Sequence, residues 1–144
     1  MKPVRILLVE DEEMVQKLVC ATLQRLGYKV LLRSNGPAAI KLWDEIEGKV
    51  DLLLTDMNMP EGLTGLQVAE HCLKQRPELP VVVMSGYSAE LISPEFEQGR
   101  SHYFLPKPFL TEKLTNTVAT CLRNCSAPAT LGSIADYATS RACA

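Results

Sequence analysis

Runs of strand length made almost entirely of apolar residues constrain this chain more than any other feature. Val4–Val9 is a continuous β-branched and leucine-rich run, and Asp51–Thr55 and Pro80–Met84 share its character. A strand exposed on one face alternates apolar with polar residues, whereas an unbroken apolar run suits a strand covered on both faces, as in a parallel sheet. Between the runs the period changes. From Glu12 to Leu26 the apolar positions Met14, Val15, Leu18, Val19, Thr22, Leu23 and Leu26 recur at helical spacing, and Gly27 supplies a stop. Tyr28–Arg33 reads as a second strand and Pro37–Glu47 as a second helix carrying Ile40, Leu42, Trp43 and Ile46. Thr64–Gln75 reads as a third helix, Ser88–Gln98 as a weak fourth that contains Pro94, Tyr103–Leu105 as a short fifth strand, and Thr111–Leu122 as a final helix. Such strict alternation with short links implies a doubly wound α/β fold: a five-stranded parallel sheet with helices on both faces, joined by right-handed crossovers.

Composition agrees with one globular unit. The 144 residues are 47% hydrophobic and 22% charged, and at this length folding buries roughly 70% of the unfolded chain's surface, enough for one core without disulfide or metal staples. A formal net charge of −2 offers no global attraction to phosphate backbones or anionic lipids, so no nucleic-acid partner and no membrane contact are expected. The longest apolar runs fall far short of the roughly 20 residues that span a bilayer. The N-terminus turns acidic at Glu10 and offers no small-residue cleavage site, so the expected location is cytoplasmic. Five cysteines make an odd count without a CxxC pair, and buried free thiols are expected of them rather than a disulfide framework or a zinc site. His71 and His102 are expected to be surface or structural residues, and Trp43 a core residue. After Leu122 the pattern decays. Residues 1–124 are therefore taken as the domain, and 125–144, in which Leu131, Ile134, Ala135 and Ala138 make one amphipathic turn, as a tail that is a short helix or disordered.

In a sheet of this kind ligands collect at the carboxyl ends of the strands. Those loops carry Glu10 and Asp11 after the first strand, Asp56 and Asn58 after the third, Ser85 and Gly86 after the fourth and Lys107 after the fifth. Clustered carboxylates repel one another and are stable together only with a bound cation or raised pKa values. Magnesium, a hard ion that takes oxygen ligands and commonly binds through one or two carboxylates plus a phosphate, is the natural candidate. A carboxylate beside it can attack phosphorus to give an aspartyl phosphate. Lys107 would neutralise a phosphoryl oxygen, and the Ser85 hydroxyl could hydrogen-bond another.

With these residues in place the chain resembles the response-regulator receiver domains of two-component signalling, over about residues 4 to 123. The resemblance rests on Leu-Val-Glu10-Asp11-Glu, Leu-Thr-Asp56-Met-Asn-Met-Pro60, Val-Met-Ser85-Gly86 and Leu-Pro-Lys107-Pro108-Phe109, in order and at family-like separations. Each is weak alone; four together are specific. The resemblance implies the flavodoxin-like strand order 2-1-3-4-5. It implies Asp56 as phosphoacceptor, Glu10, Asp11 and Asp56 on a magnesium ion with the main-chain carbonyl of Asn58, and Lys107 on the phosphate. It also implies Ser85 and Phe104 as switch residues, Asn58 and Tyr87 as positions that tune dephosphorylation, and a cis peptide before Pro108. The implied partner is a sensor histidine kinase or histidine phosphotransfer protein. Phosphorylation-dependent self-association on the face formed by the fourth helix, fifth strand and final helix is a further expectation. The chain would be a phosphoacceptor switch, not a metabolic enzyme, limited to magnesium-dependent self-phosphorylation and slow self-dephosphorylation.

Two departures stand out. The loop Met-Pro-Glu61-Gly62-Leu63-Thr64-Gly65 is one residue longer before its glycine than the commonest receiver pattern, and the switch aromatic is Phe rather than Tyr. The longer loop and Met-Ser-Gly-Tyr-Ser resemble receivers of hybrid sensor histidine kinases.

Other functions fit the same fold. A flavodoxin-like electron carrier would place a flavin phosphate where Glu10–Glu13 would repel it. A phosphatase with an aspartyl nucleophile would usually carry a second acid two residues on, where this chain has Asn58. An interaction module that keeps the fold but signals without phosphate is the remaining alternative.

Overall fold

The computed structural model describes residues 3–59, 62–86 and 102–126. Five strands, β1 (Arg5–Val9), β2 (Lys29–Arg33), β3 (Leu52–Asp56), β4 (Val81–Ser85) and β5 (His102–Pro106), form one sheet in the order β2-β1-β3-β4-β5. Every pairing is parallel. The described helices are α1 (Glu13–Arg25), α2 (Gly36–Glu45), α3 (Gly65–Gln75) and α4 (Thr111–Ser126). The doubly wound α/β fold and its strand order are thus those expected. The helix expected over Ser88–Gln98, and residues 127–144 of the expected tail, lie outside the described residues.

Side chains alternate across a strand, and here the alternation separates two cores. Odd-numbered Leu7, Val9, Leu53, Val81 and Val83 pack with Trp43 of α2 and Val68 and Cys72 of α3. Even-numbered Ile6, Leu8, Leu52, Leu54, Val82 and Met84 pack with Val19 and Leu23 of α1 and Leu114, Val118 and Cys121 of α4. Every residue of β3 and β4 is buried, while the edge strands β2 and β5 are partly exposed. This explains why the central runs are unbrokenly apolar and the edges are not.

Several boundaries depart from the sequence reading. α2 ends at Glu45 because Glu47 and Gly48 both take positive φ, 55° and 68°, and Gly48 lies flat against the Trp43 ring. α4 continues past Leu122 through Ser126, the last described residue. In α1 the apolar stripe is wider than the buried face: Val19, Thr22 and Leu23 are buried, whereas Met14 is 81% exposed and Leu18 and Leu26 are also exposed. Trp43 is fully buried and its Nε1–H donates to Gln75 Oε1 at 2.9 Å, tying α2 to α3. Among the described cysteines, Cys20, Cys72 and Cys121 are free thiols, the latter two buried. His71 sits 3.1 Å from Asp44 Oδ1 on the exterior of the α2–α3 pair.

Candidate functional site

The parallel sheet delivers its strand ends to one edge, and the register fixes what meets there. Asp56 is the last residue of β3 and Ser85 the last of β4, while Glu10 and Lys107 each lie one residue beyond a strand. The chain stays in register past these ends. The Glu10 N–H donates to Arg33 O at 3.0 Å, and the Lys107 N–H donates to Ser85 O at 2.8 Å. The Lys107–Pro108 peptide is cis.

Lys107 turns back over the sheet edge. Its Nζ lies 2.7 Å from Glu10 Oε1 and 3.4 Å from Asp56 Oδ1, so one ammonium bridges two carboxylates. Carboxylate oxygens of Glu10, Asp11 and Asp56 lie within 4.8 Å of one another. Glu10 is fully buried, Asp56 is 6% exposed and Asp11 is exposed. Burial pushes the Glu10 carboxyl up to about 7 from 4.5, and the Asp56 charge pushes the same way, while the hydrogen bonds from Lys107 and the Glu12 N–H oppose them. Asp56 is likewise raised, by burial first and by the charge of Asp11, against the pull of Lys107 and a hydrogen bond from the Asn58 main chain. For Lys107 burial alone would lower the ammonium, but Glu10 and Asp56 outweigh it and hold it raised. Among the described residues the cluster therefore sets three carboxyl groups against the ammonium of Lys107.

A simpler explanation of the acidic run does not hold. Asp11, Glu12 and Glu13 could have served only to cap and charge the first helix. Glu12 is the N-cap residue of α1 but makes no side-chain cap bond, and only Glu13 lies in the first turn, paired with Lys17 at 3.0 Å. Asp11 faces the cluster instead.

The remaining candidates are placed differently from one another. Asn58 is exposed, with its main chain against the Asp56 carboxylate. Ser85 is fully buried, and its hydroxyl donates to Met57 Sδ at 3.8 Å. Phe104 is partly buried against the core that α2 and α3 cover. Tyr87 lies outside the described residues.

Gly65, noted in the sequence only as the glycine that ends the loop, also positions the site. Gly65 opens α3, and a Cβ there would overlap the Asp56 carbonyl oxygen and lie 2.8 Å from its carbon. Its N–H donates to Met57 O at 2.8 Å. The loop after Asp56 is thus closed by the helix backbone itself, with Thr64 and Gln67 making a capping box around the same turn. The signal was available. Thr64-Gly-Leu-Gln67 carries the capping-box spacing, and a glycine at a helix start where alanine is the better helix former marks a close backbone approach.

Comparison with known proteins gives one answer. The family model for the response regulator receiver domain matches residues 6–119. The chain is 33% identical over 113 residues to the sensor kinase CckA of Brucella abortus, covering 78% of this chain and only 12% of that kinase. It is 32% identical over 114 residues to the response regulator receiver protein CpdR of the same organism, covering 79% of this chain and 92% of CpdR. The crystal structure of a response regulator receiver protein from Sinorhizobium medicae superposes with a TM-score of 0.76 at 28% identity, covering 87% of this chain and 98% of that one.

Proposed function

The chain belongs to the response regulator receiver domains of two-component signalling, and from that premise we propose that it accepts a phosphoryl group on Asp56 from a phosphohistidine of a partner protein. The observation that carries the assignment is the position of Lys107 Nζ, 2.7 Å from Glu10 and 3.4 Å from Asp56. A carboxylate oxygen of Asp56 forms a bond to phosphorus as the phosphorus–nitrogen bond of the donor breaks. The donor imidazole, protonated on its other ring nitrogen, keeps that electron pair and leaves as neutral imidazole. Lys107 meets the charge gathering on the phosphoryl oxygens, and the Ser85 hydroxyl turns to hydrogen-bond one of them. Phe104 then moves into the space that Ser85 leaves. Hydrolysis returns Asp56 when water attacks phosphorus and inorganic phosphate departs, and Asn58 and Tyr87 tune its rate.

Receiver domains generally bind magnesium at an acidic pocket, and the residues here fit one. Three carboxylates converge within 4.8 Å, and two of them, Glu10 and Asp56, are raised by burial. Glu10, Asp11 and Asp56, with the main-chain carbonyl of Asn58, would hold the ion. When bound it would neutralise the cluster and the incoming phosphoryl oxygens.

The partner is a sensor histidine kinase or a histidine phosphotransfer protein, and the similarity to the receiver of CckA supports a hybrid-kinase setting. The reaction is that of a switch consumed once per signal, not of a metabolic enzyme. Its output is a changed surface around β5, α4 and the segment between β4 and β5, the face on which phosphorylation-dependent self-association would occur. No described helix is long and apolar enough to cross a membrane.

Intact mass tests the central claim. Acetyl phosphate with magnesium should add one phosphoryl group, and Asp56→Asn should abolish the addition. Equal labelling of the variant would move the acceptor elsewhere, and no labelling of the wild type would favour a phosphate-independent interaction module.

A further inference from the structure

The register that builds the site also sets where the Ser85 hydroxyl starts. Asp56 pairs with Met84 across β3 and β4, so the next residues, Met57 and Ser85, face each other one step beyond. Even-numbered Leu52, Leu54 and Met84 belong to the core under α1 and α4, whereas Leu53, Met57 and Val83 belong to the core under α2 and α3. With the two-residue period, Ser85 follows Val83 onto the second face and Asp56 follows Leu54 onto the first. Phe104 pairs with Val83 and packs against the same core as Met57. The hydroxyl therefore lies on the Phe104 side of the sheet, and to meet a phosphoryl group on Asp56 it must turn about its own side-chain bond.

The backbone on either side is hydrogen-bonded. The Met57 N–H donates to Met84 O at 2.8 Å, Met57 O accepts from Gly65 at 2.8 Å, and Ser85 O accepts from Lys107 at 2.8 Å. Met57 is 7% exposed, so its thioether is pinned within the core beside Ser85. A thioether sulfur is a weak acceptor. It can hold a hydroxyl at rest and still lose it to an anionic phosphoryl oxygen, whose hydrogen bonds are roughly twice as strong as neutral ones.

Resting on the receiver reading above, we propose that Met57 is a positioning residue whose sulfur latches the Ser85 hydroxyl away from Asp56, and so sets how readily the domain enters its phosphorylated conformation. The side chain touches neither phosphate nor metal; it acts through Ser85. Leucine at this position nearly conserves volume and removes the acceptor.

The test is the affinity for beryllofluoride, an unreactive mimic of the acyl phosphate, measured calorimetrically with magnesium on the full chain. Met57→Leu should bind it about two- to tenfold more tightly, the loss of one modest hydrogen bond from the resting state. The same substitution in a Ser85→Ala background should change nothing, because no hydroxyl remains to release. An unchanged or weakened affinity for Met57→Leu, or an equal shift in both backgrounds, overturns the latch. If Met57→Leu fails to fold, norleucine incorporated in place of methionine, compared with and without Ser85→Ala, asks the same question with sulfur exchanged for methylene. A wild type that binds no beryllofluoride refutes the receiver reading itself, and the latch with it; a wild type that binds while the variants behave alike refutes the latch alone.

Discussion

Glu10 gives the metal-free protein an unusual dependence on pH. Its carboxyl is fully buried and stands at about 7 in the folded chain against 4.5 for an unperturbed group. The folded state therefore holds a proton that the unfolded state has released, and stability falls as pH rises between those values. The full difference is about 3 kcal/mol at 1.36 kcal/mol per pH unit. About 2 kcal/mol of it is lost between pH 5.5 and 8, or roughly 6–10 °C in melting temperature for a domain of this size. Asp56, raised by the same burial, adds to the fall with the same sign. The assay is thermal melting in excess chelator across that range, for the wild type and for Glu10→Gln. The wild type should melt lower at pH 8 than at pH 5.5, and Glu10→Gln should lose most of the slope. The difference between the two proteins isolates the contribution of Glu10. A wild-type midpoint that stays level or rises with pH, or an undiminished slope in Glu10→Gln, would refute the reasoning, since burial would then not be governing the carboxyl.

Magnesium at about 100 times its dissociation constant should stabilise the protein by roughly 2.7 kcal/mol, read as a rise in melting temperature. Asp11→Asn should raise the metal-free midpoint by relieving repulsion and weaken the magnesium response; a lower metal-free midpoint would contradict the charge argument. Gly65→Ala should destabilise by about 1–3 kcal/mol, as an overpacked site does, because the new methyl falls on the Asp56 carbonyl. It should also slow labelling by acetyl phosphate, and wild-type melting and labelling would show that the loop yields at no cost.

The order of elements was legible because burial on both faces leaves a plain mark. Leu52–Thr55 and Val81–Met84 could hardly be anything but central strands, and Gly27, at φ 92°, stops the chain after α1 where the sequence implied. The acidic residues and Lys107 were legible as a group because parallel strands send their carboxyl ends to one side. What the sequence hid depends on register and on space. Nothing local says that Met14 and Leu18 turn outward, since that requires knowing which arc of α1 the sheet covers. Nothing local gives the Ser85 hydroxyl to Met57, a contact between residues 28 apart that exists only because β3 and β4 pair as they do. The pairing of Lys107 with Glu10, closer than with Asp56, likewise follows from depth in the cleft and not from spacing along the chain.

The bond from Lys107 to Glu10 joins residues 97 apart in the chain, with Asp56 supplied by a third strand between them. No fragment holding fewer than three strands can assemble the cluster, and a chain that has lost β5 retains the acceptor carboxylate but not the ammonium that answers its charge. On the proposed function, reactivity toward a phosphodonor is therefore expected only of the completed sheet. On the same proposal, unfolded and partly synthesised copies should take up no phosphoryl group, and the stoichiometry of labelling should track the folded fraction of a preparation.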